Sequence, residues 1–173
     1  MTAHASTLRG PNAADGAFAP ARVLAYAAAS LHSTPTTWDT PVDLGPRVAW
    51  GSGAPRRAYL GPRESNGMSA WSQSVGAGDG FAYAQVTGLS YGPLSLSRVI
   101  VTCLGEHYAV QIDGGASGHA LHPGEHLRVD GVEIDVGRVE RHEDGSYTVT
   151  GLSLSSNTGG LLTVAVAHAG PVR

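Results

Sequence analysis

From Met68 onward, apolar and polar residues alternate in runs cut by glycine, proline, asparagine or aspartate. The runs are "MSAWSQSV" (68–75), "FAYAQVTGL" (81–89), "LSLSRVIVTCL" (94–104), "HYAVQI" (107–112), "HLRVDGVEIDVGRVERH" (126–142), "SYTVTGLSL" (146–154) and "LLTVAVAHA" (161–169). A period of two residues marks strands with one buried face. Runs of this length at this spacing predict an all-β, antiparallel sandwich or barrel.

The interruptions refine that expectation. "VDGV" (129–132) puts Asp-Gly where a two-residue hairpin turn needs positive φ, and "EDGS" (143–146) repeats the device. In "SYTVTGLSL" the apolar positions run Tyr147, Val149 and then Leu152, Leu154, so the phase changes at Gly151. A strand that changes phase at a glycine is expected to bend or bulge there. The pentapeptide "VTGLS" occurs at 86–90 and again at 149–153. Asp79-Gly80 and Asp144-Gly145 precede the two copies, and "RVIVTC" (98–103) and "LTVAVA" (162–167) follow them. One reading is a structural corner shared by two related halves; the other is coincidence in a chain rich in Gly, Ser, Thr, Val and Leu.

The first third is written differently. Residues 1–22 are small, polar and punctuated by Pro and Gly, the composition of an arm. In 23–31 the alanines suit a turn or two of helix, while Val23, Ala25, Ala27 and Ala29 alternate as in a strand, so periodicity leaves both open. Between 32 and 67, Pro35, Pro41, Pro46, Pro55 and Pro62 exclude helix and leave room for short strands such as "RVAW" (47–50) and "RAYL" (57–60). The expected organisation is an arm over 1–22 and a single, Greek-key-like β-sandwich over 23–173, its halves related if the repeat is genuine.

Composition narrows the function classes. A chain of 173 residues can bury a real core as one domain. All 11 cationic side chains are Arg, net charge is −3 and 14% of residues are charged, so the basic field that nucleic acid or an anionic membrane requires is absent. With Cys103 as the sole cysteine, no intrachain disulfide and no Cys-rich zinc site can form. "VLAYAAASL" (23–31) is too weakly apolar for a signal peptide, and no run of about 20 apolar residues predicts a membrane span.

Three constellations bear on chemistry. "GLSYG" (88–92) matches the nucleophile-elbow pattern at Ser90, with Asp113 and His168 as nominal partners, but the strand-to-helix context of that motif is missing. A Gly-bounded β-turn is the plainer account. His119, His122 and His126, beside Glu125 and the Glu106-His107 pair, form the densest ligand-type cluster, and three imidazoles suit zinc with an open position. Pro123-Gly124 rules out a helix that would align the rings, leaving a loop site or a solvated loop. Trp38, Trp50, Tyr59 and Trp71, with Tyr26, supply large amphipathic rings for a glycan-stacking or protein-binding surface, or fill a core holding two Phe. Acidic residues from Asp130 to Asp144 read as a solvated hairpin face rather than a glycosidase pair, and "DGGASGH" (113–119) lacks the spaced carboxylates of a calcium loop.

"GSYTVTGLSL" (145–154), "SSNTGG" (155–160) and "LLTVAVAHAG" (161–170), with "FAYAQVTGLS" (81–90), "VIVTC" (99–103) and "VDGVEI" (129–134), resemble the actinobacterial choice-of-anchor P family. The likeness covers roughly 80–173 by strand motifs and 17–60 by composition. It implies a secreted, all-β surface or extracellular protein, held by an interchangeable anchoring segment, with no catalytic residues to carry over. This chain departs from that pattern in showing no secretion signal and no anchor after "HAGPVR". The expectation is therefore a non-enzymatic structural or adhesive module, without cofactor, that forms homo-oligomers through its arm and strand edges. A glycan- or surface-protein-binding module, a phage or virion decoration protein, and a small hydrolase or histidine-metal enzyme are the alternatives.

Overall fold

The computed structural model describes residues 25–29, 32–33, 45–65, 67–156 and 161–170. These form fifteen strands: β1 (Ala25–Ala28), β2 (His32–Ser33), β3 (Arg47–Trp50), β4 (Arg56–Leu60), β5 (Arg63–Ser65), β6 (Met68–Ala70), β7 (Ser72–Gly78), β8 (Phe81–Tyr91), β9 (Leu94–Leu104), β10 (His107–Ala116), β11 (His119–Ala120), β12 (His126–Val129), β13 (Val132–Arg141), β14 (Tyr147–Ser156) and β15 (Leu161–Ala169). The expected arm lies outside the described residues. The ambiguous alanine segment resolves as strand, because β1 is held between β15 and β3 with Ala25 and Ala27 in the core.

The strands make two packed antiparallel sheets, the sandwich anticipated from the alternation. Sheet one runs β12–β13–β14–β15–β1–β3, with β2 also on β15. Sheet two runs β11–β10–β9–β8, and the far side of β8 is taken by β6 and β7, which pair in turn with β5 and β4. Its connections are simpler than a Greek key. Each sheet is largely a hairpin meander; the chain changes sheet between β3 and β4 and between β11 and β12, and β1 lies beside β15. Small inward residues fill the interior: Ala82, Ala84, Val86, Val99 and Val101 from sheet two face Ala25, Ala27, Val149, Leu152 and Val164 from sheet one. Each buried Val or Leu among them contributes about 1.5–3 kcal/mol relative to exposure.

Both copies of "VTGLS" sit where long strands change their inward face. In β8, Ala82, Ala84 and Val86 are buried before Gly88, and Leu89 after it. In β14, Val149 is buried before Gly151, and Leu152 and Leu154 after it. Neighbouring strands switch at the same level: β9 turns Leu94 and Leu96 inward, then Val99, Val101 and Cys103. Pairing therefore continues in unchanged register, Thr87 opposite Arg98 and Leu89 opposite Leu96, with Gly88 and Ser97 left between. Sheet one repeats this at Gly137, Gly151 and Ala165, and Gly88, Gly137 and Ala165 all take positive φ. The extra residue is absorbed at β10 by a bulge between Asp113 and Gly114.

Two local expectations need correction. The run 68–75 is not one strand, since it breaks at Trp71, whose N–H donates to Thr87 O at 2.9 Å. The "EDGS" turn is not a second two-residue hairpin. Asp130 and Gly131 both adopt positive φ, as the first device requires, whereas in the second only Gly145 does. Asp144 there accepts from the Ser146 N–H and hydroxyl at 2.9 and 2.6 Å, and Gly145 N–H donates to His142 O at 3.0 Å. That bonding yields a longer loop over 142–146, with glycine in the left-handed position.

Candidate functional site

The outward face of sheet two carries aromatic rings laid over glycines of the adjacent strand. Phe81 covers Gly78, Tyr83 covers Gly76, and the Trp71 ring covers Gly88, where an added Cβ would come within 2.6 Å of it. A glycine beside each ring removes the side chain that would lift it from the sheet. Tyr59 reaches the same face through its pairing with Ser74. Trp71 is 75% exposed and Tyr59 67% exposed, so large apolar area faces outward here. Of the four predicted aromatic binding residues, these two share a face. Trp50 belongs to the core instead: it is 7% exposed and its Nε1–H donates to Gly53 O at 2.9 Å. Trp38 lies outside the described residues.

The sheet edges differ in what they expose. β3 and β12 are four-residue strands carrying Arg47, His126 and Arg128, and β4 and β5 carry Arg56, Arg57, Arg63 and Glu64. Short, charged edges resist pairing with another chain. On β10, the pairing with β11 involves only Gly115 and Ala116, so among the described residues His107–Asp113 has β9 on one side and no strand on the other. This stretch, "HYAVQID", contains no Arg and no Pro and is exposed or half-buried throughout.

The predicted histidine metal site does not assemble. His119 Nε2 lies 2.6 Å from Glu125 Oε1, and the His122 N–H donates to Glu125 Oε2 at 3.0 Å. Those contacts, the His119 hydrogen bond first, hold the Glu125 carboxyl below the usual carboxylate range. His126 turns instead to Asp135, with Nδ1 and Oδ1 2.5 Å apart, and that hydrogen bond raises its pKa. Different carboxylates thus take His119 and His126, and among the described residues no group of three or more His, Cys, Asp or Glu could hold a metal ion. What remains is an open groove of about 540 Å³ beside His119, floored by Gly114 and Gly115 and flanked by Ser95 and Ser117. Glu106-His107 sits apart from it, at the hairpin between β9 and β10.

Ser90 has no triad. It is an exposed residue of β8 paired with Ser95, while Asp113 lies across β9 and accepts from Arg98 Nε and Nη2 at 2.9 and 2.7 Å. His168 lies in the other sheet, between core residues Ala167 and Ala169, with its side chain on the opposite face. Cys103 is buried, and burial pushes its thiol up to about 12, so it behaves as a small hydrophobe.

The sequence offered His168 only as a nominal triad partner, and its actual cluster was missed. His142 Nε2 and His168 Nδ1 lie 2.7 and 3.0 Å from the one Thr148 hydroxyl, and the two rings are 5.3 Å apart. Burial, then the neighbouring His142, pushes His168 down to about 4. Thr148 and His168 are cross-strand partners, so counting register outward from the 142–146 loop was the signal that would have joined them. The cluster lies on sheet one's outer face, where buried Tyr26, Ala28 and Val166 form a second small apolar group. No protein-family model, no curated protein and no solved structure matches the chain.

Proposed function

We propose that the protein is a non-enzymatic structural module that associates with copies of itself through its strand edges. The observation that carries this reading is the edge of β10 over His107–Asp113, on which no strand pairs among the described residues, beside the short or charged edge strands β3, β12, β4 and β5. A long edge whose middle residues, Tyr108–Ile112, carry no charge offers main-chain donors and acceptors to a further strand. Light scattering over a range of protein concentrations tests it: the mass should rise toward a multiple of the chain mass, and a monomer throughout would refute it. The resemblance to a family of secreted surface proteins supports an extracellular or cell-surface setting, which fractionation of the producing cells would check.

A second reading rests on Trp71 and Tyr59, whose exposed rings suit stacking against a glycan or a protein surface. Titration with soluble glycans should shift the tryptophan emission of the wild type and leave that of Trp71→Ala unchanged. Identical behaviour of the two proteins would remove this reading.

A further inference from the structure

We infer that the second copy docks antiparallel on β10, about a two-fold axis passing at Val110. This rests on the self-association reading and specifies its partner and register. The run His107–Asp113, without a second pairing strand among the described residues, ends where pairing with β11 begins at Gly115, and Val110 is its midpoint. An axis there pairs the whole run with itself: His107 opposite Asp113, Tyr108 opposite Ile112, and Ala109 opposite Gln111. Directly opposed side chains on one face lie about 4.5–5.5 Å apart, and opposite charges there are favourable.

The outward row supplies that complementarity at both ends. His107 of one copy lies opposite the Asp113 carboxylate of the other, to which its ring N–H can donate. Arg98 and Gln111 both donate to Asp113 Oδ2, which leaves Oδ1 without a partner among the described residues. The inward row supplies apolar area. Val110 and Ile112 are only partly covered by the core, and Tyr108, half exposed, packs on Tyr147 at 5.7 Å between ring centroids. Pairing would close the flank between the sheets at these three residues. Because the axis is perpendicular to the sheet, both outward faces with Trp71, Tyr59 and Tyr83 end on the same side of one continuous sheet.

Charge substitution on the outward row tests the register. Ala109 and Gln111 are both exposed, so Ala109→Lys with Gln111→Lys places like charges opposite each other in the pair. Ala109→Glu with Gln111→Glu does the same with the other sign. Each variant alone should associate at least about tenfold more weakly than wild type, the loss that about 1.4 kcal/mol produces. An equimolar mixture of the two should recover the wild-type mass as a heterodimer. If the wild type associates and both variants associate equally well, the β10 register is overturned while self-association stands. If each variant is monomeric and the mixture stays monomeric, the register is likewise overturned. A wild type that remains monomeric at every concentration overturns both readings.

Discussion

The two "VTGLS" segments both sit where a long strand changes its inward face, yet their glycines differ in backbone and in surroundings. In β8 the glycine, Gly88, takes a φ of +60° and lies beneath the exposed Trp71 ring on the outer face of sheet two. In β14 the glycine, Gly151, points inward, where an added Cβ would approach Val99 Cγ1 at 2.6 Å and Val101 Cγ1 at 3.2 Å. One copy permits an aromatic surface, and the other permits the two sheets to approach. Identical residues thus acquire different constraints from whatever lies across from them, and substitution should separate those constraints.

The largest difference is expected at Gly151. Gly151→Val drives a branched side chain between the sheets and against Val164 O, a backbone atom 3.0 Å from the new Cβ, and should cost about 3 kcal/mol or more in a denaturant titration. A loss below about 1 kcal/mol would mean that the sheets are not in close contact there. Gly88→Ala should cost about 1–2 kcal/mol, from the left-handed backbone and the ring above it. Since Trp71 is exposed and can move, Trp71→Ala in the same chain should relieve the steric part and leave the backbone part. Equal costs with and without Trp71 would show that the ring does not constrain this corner.

Gln73, next to the first copy through its pairing with Val86, tests the interior that both copies enclose. It is fully buried, and among the described residues neither its side-chain oxygen nor its nitrogen has a hydrogen-bond partner. An unsatisfied buried amide is costly, so Gln73→Leu should raise stability by about 1 kcal/mol. Destabilisation would reveal a polar partner for the amide.

The smallest effect is expected from the His142–His168 cluster on the outer face of sheet one. His168 binds its proton less readily folded than unfolded, because burial and then His142 disfavour its charged form. Its contribution to stability is complete above the ordinary histidine value of about 6.5 and is lost as pH falls toward about 4. The denaturation midpoint should fall over that window, and His168→Asn should flatten the fall. A slope unchanged by the substitution would assign the pH response to other groups.

The fold was legible because alternation at period two survives on either side of the phase changes in β8 and β9, and the boundaries of "LLTVAVAHA" and "RVAW" match β15 and β3 residue for residue. The phase change at Gly151 was also legible, being written in the order of Val149 and Leu152. The site was less so. Trp50 and Trp71 are the same residue type in similar small-residue surroundings, yet one lies in β3 and enters the core while the other sits at the break between β6 and β7 and is exposed. The histidines at 119–126 are close in sequence, but the carboxylates that engage His119 and His126 direct them apart. His142 and His168 are distant in sequence and meet only through the register of three strands. Strand pairing, the least local feature of a β protein, decides all three outcomes.

The central claim is that β10 is the edge through which copies of the chain meet, and backbone hydrogen–deuterium exchange at low and high protein concentration tests it most directly. Amides of 107–113 should gain protection as concentration rises, while those of β3 and β12 exchange at unchanged rates. Protection of 107–113 that stays the same at every concentration would contradict it.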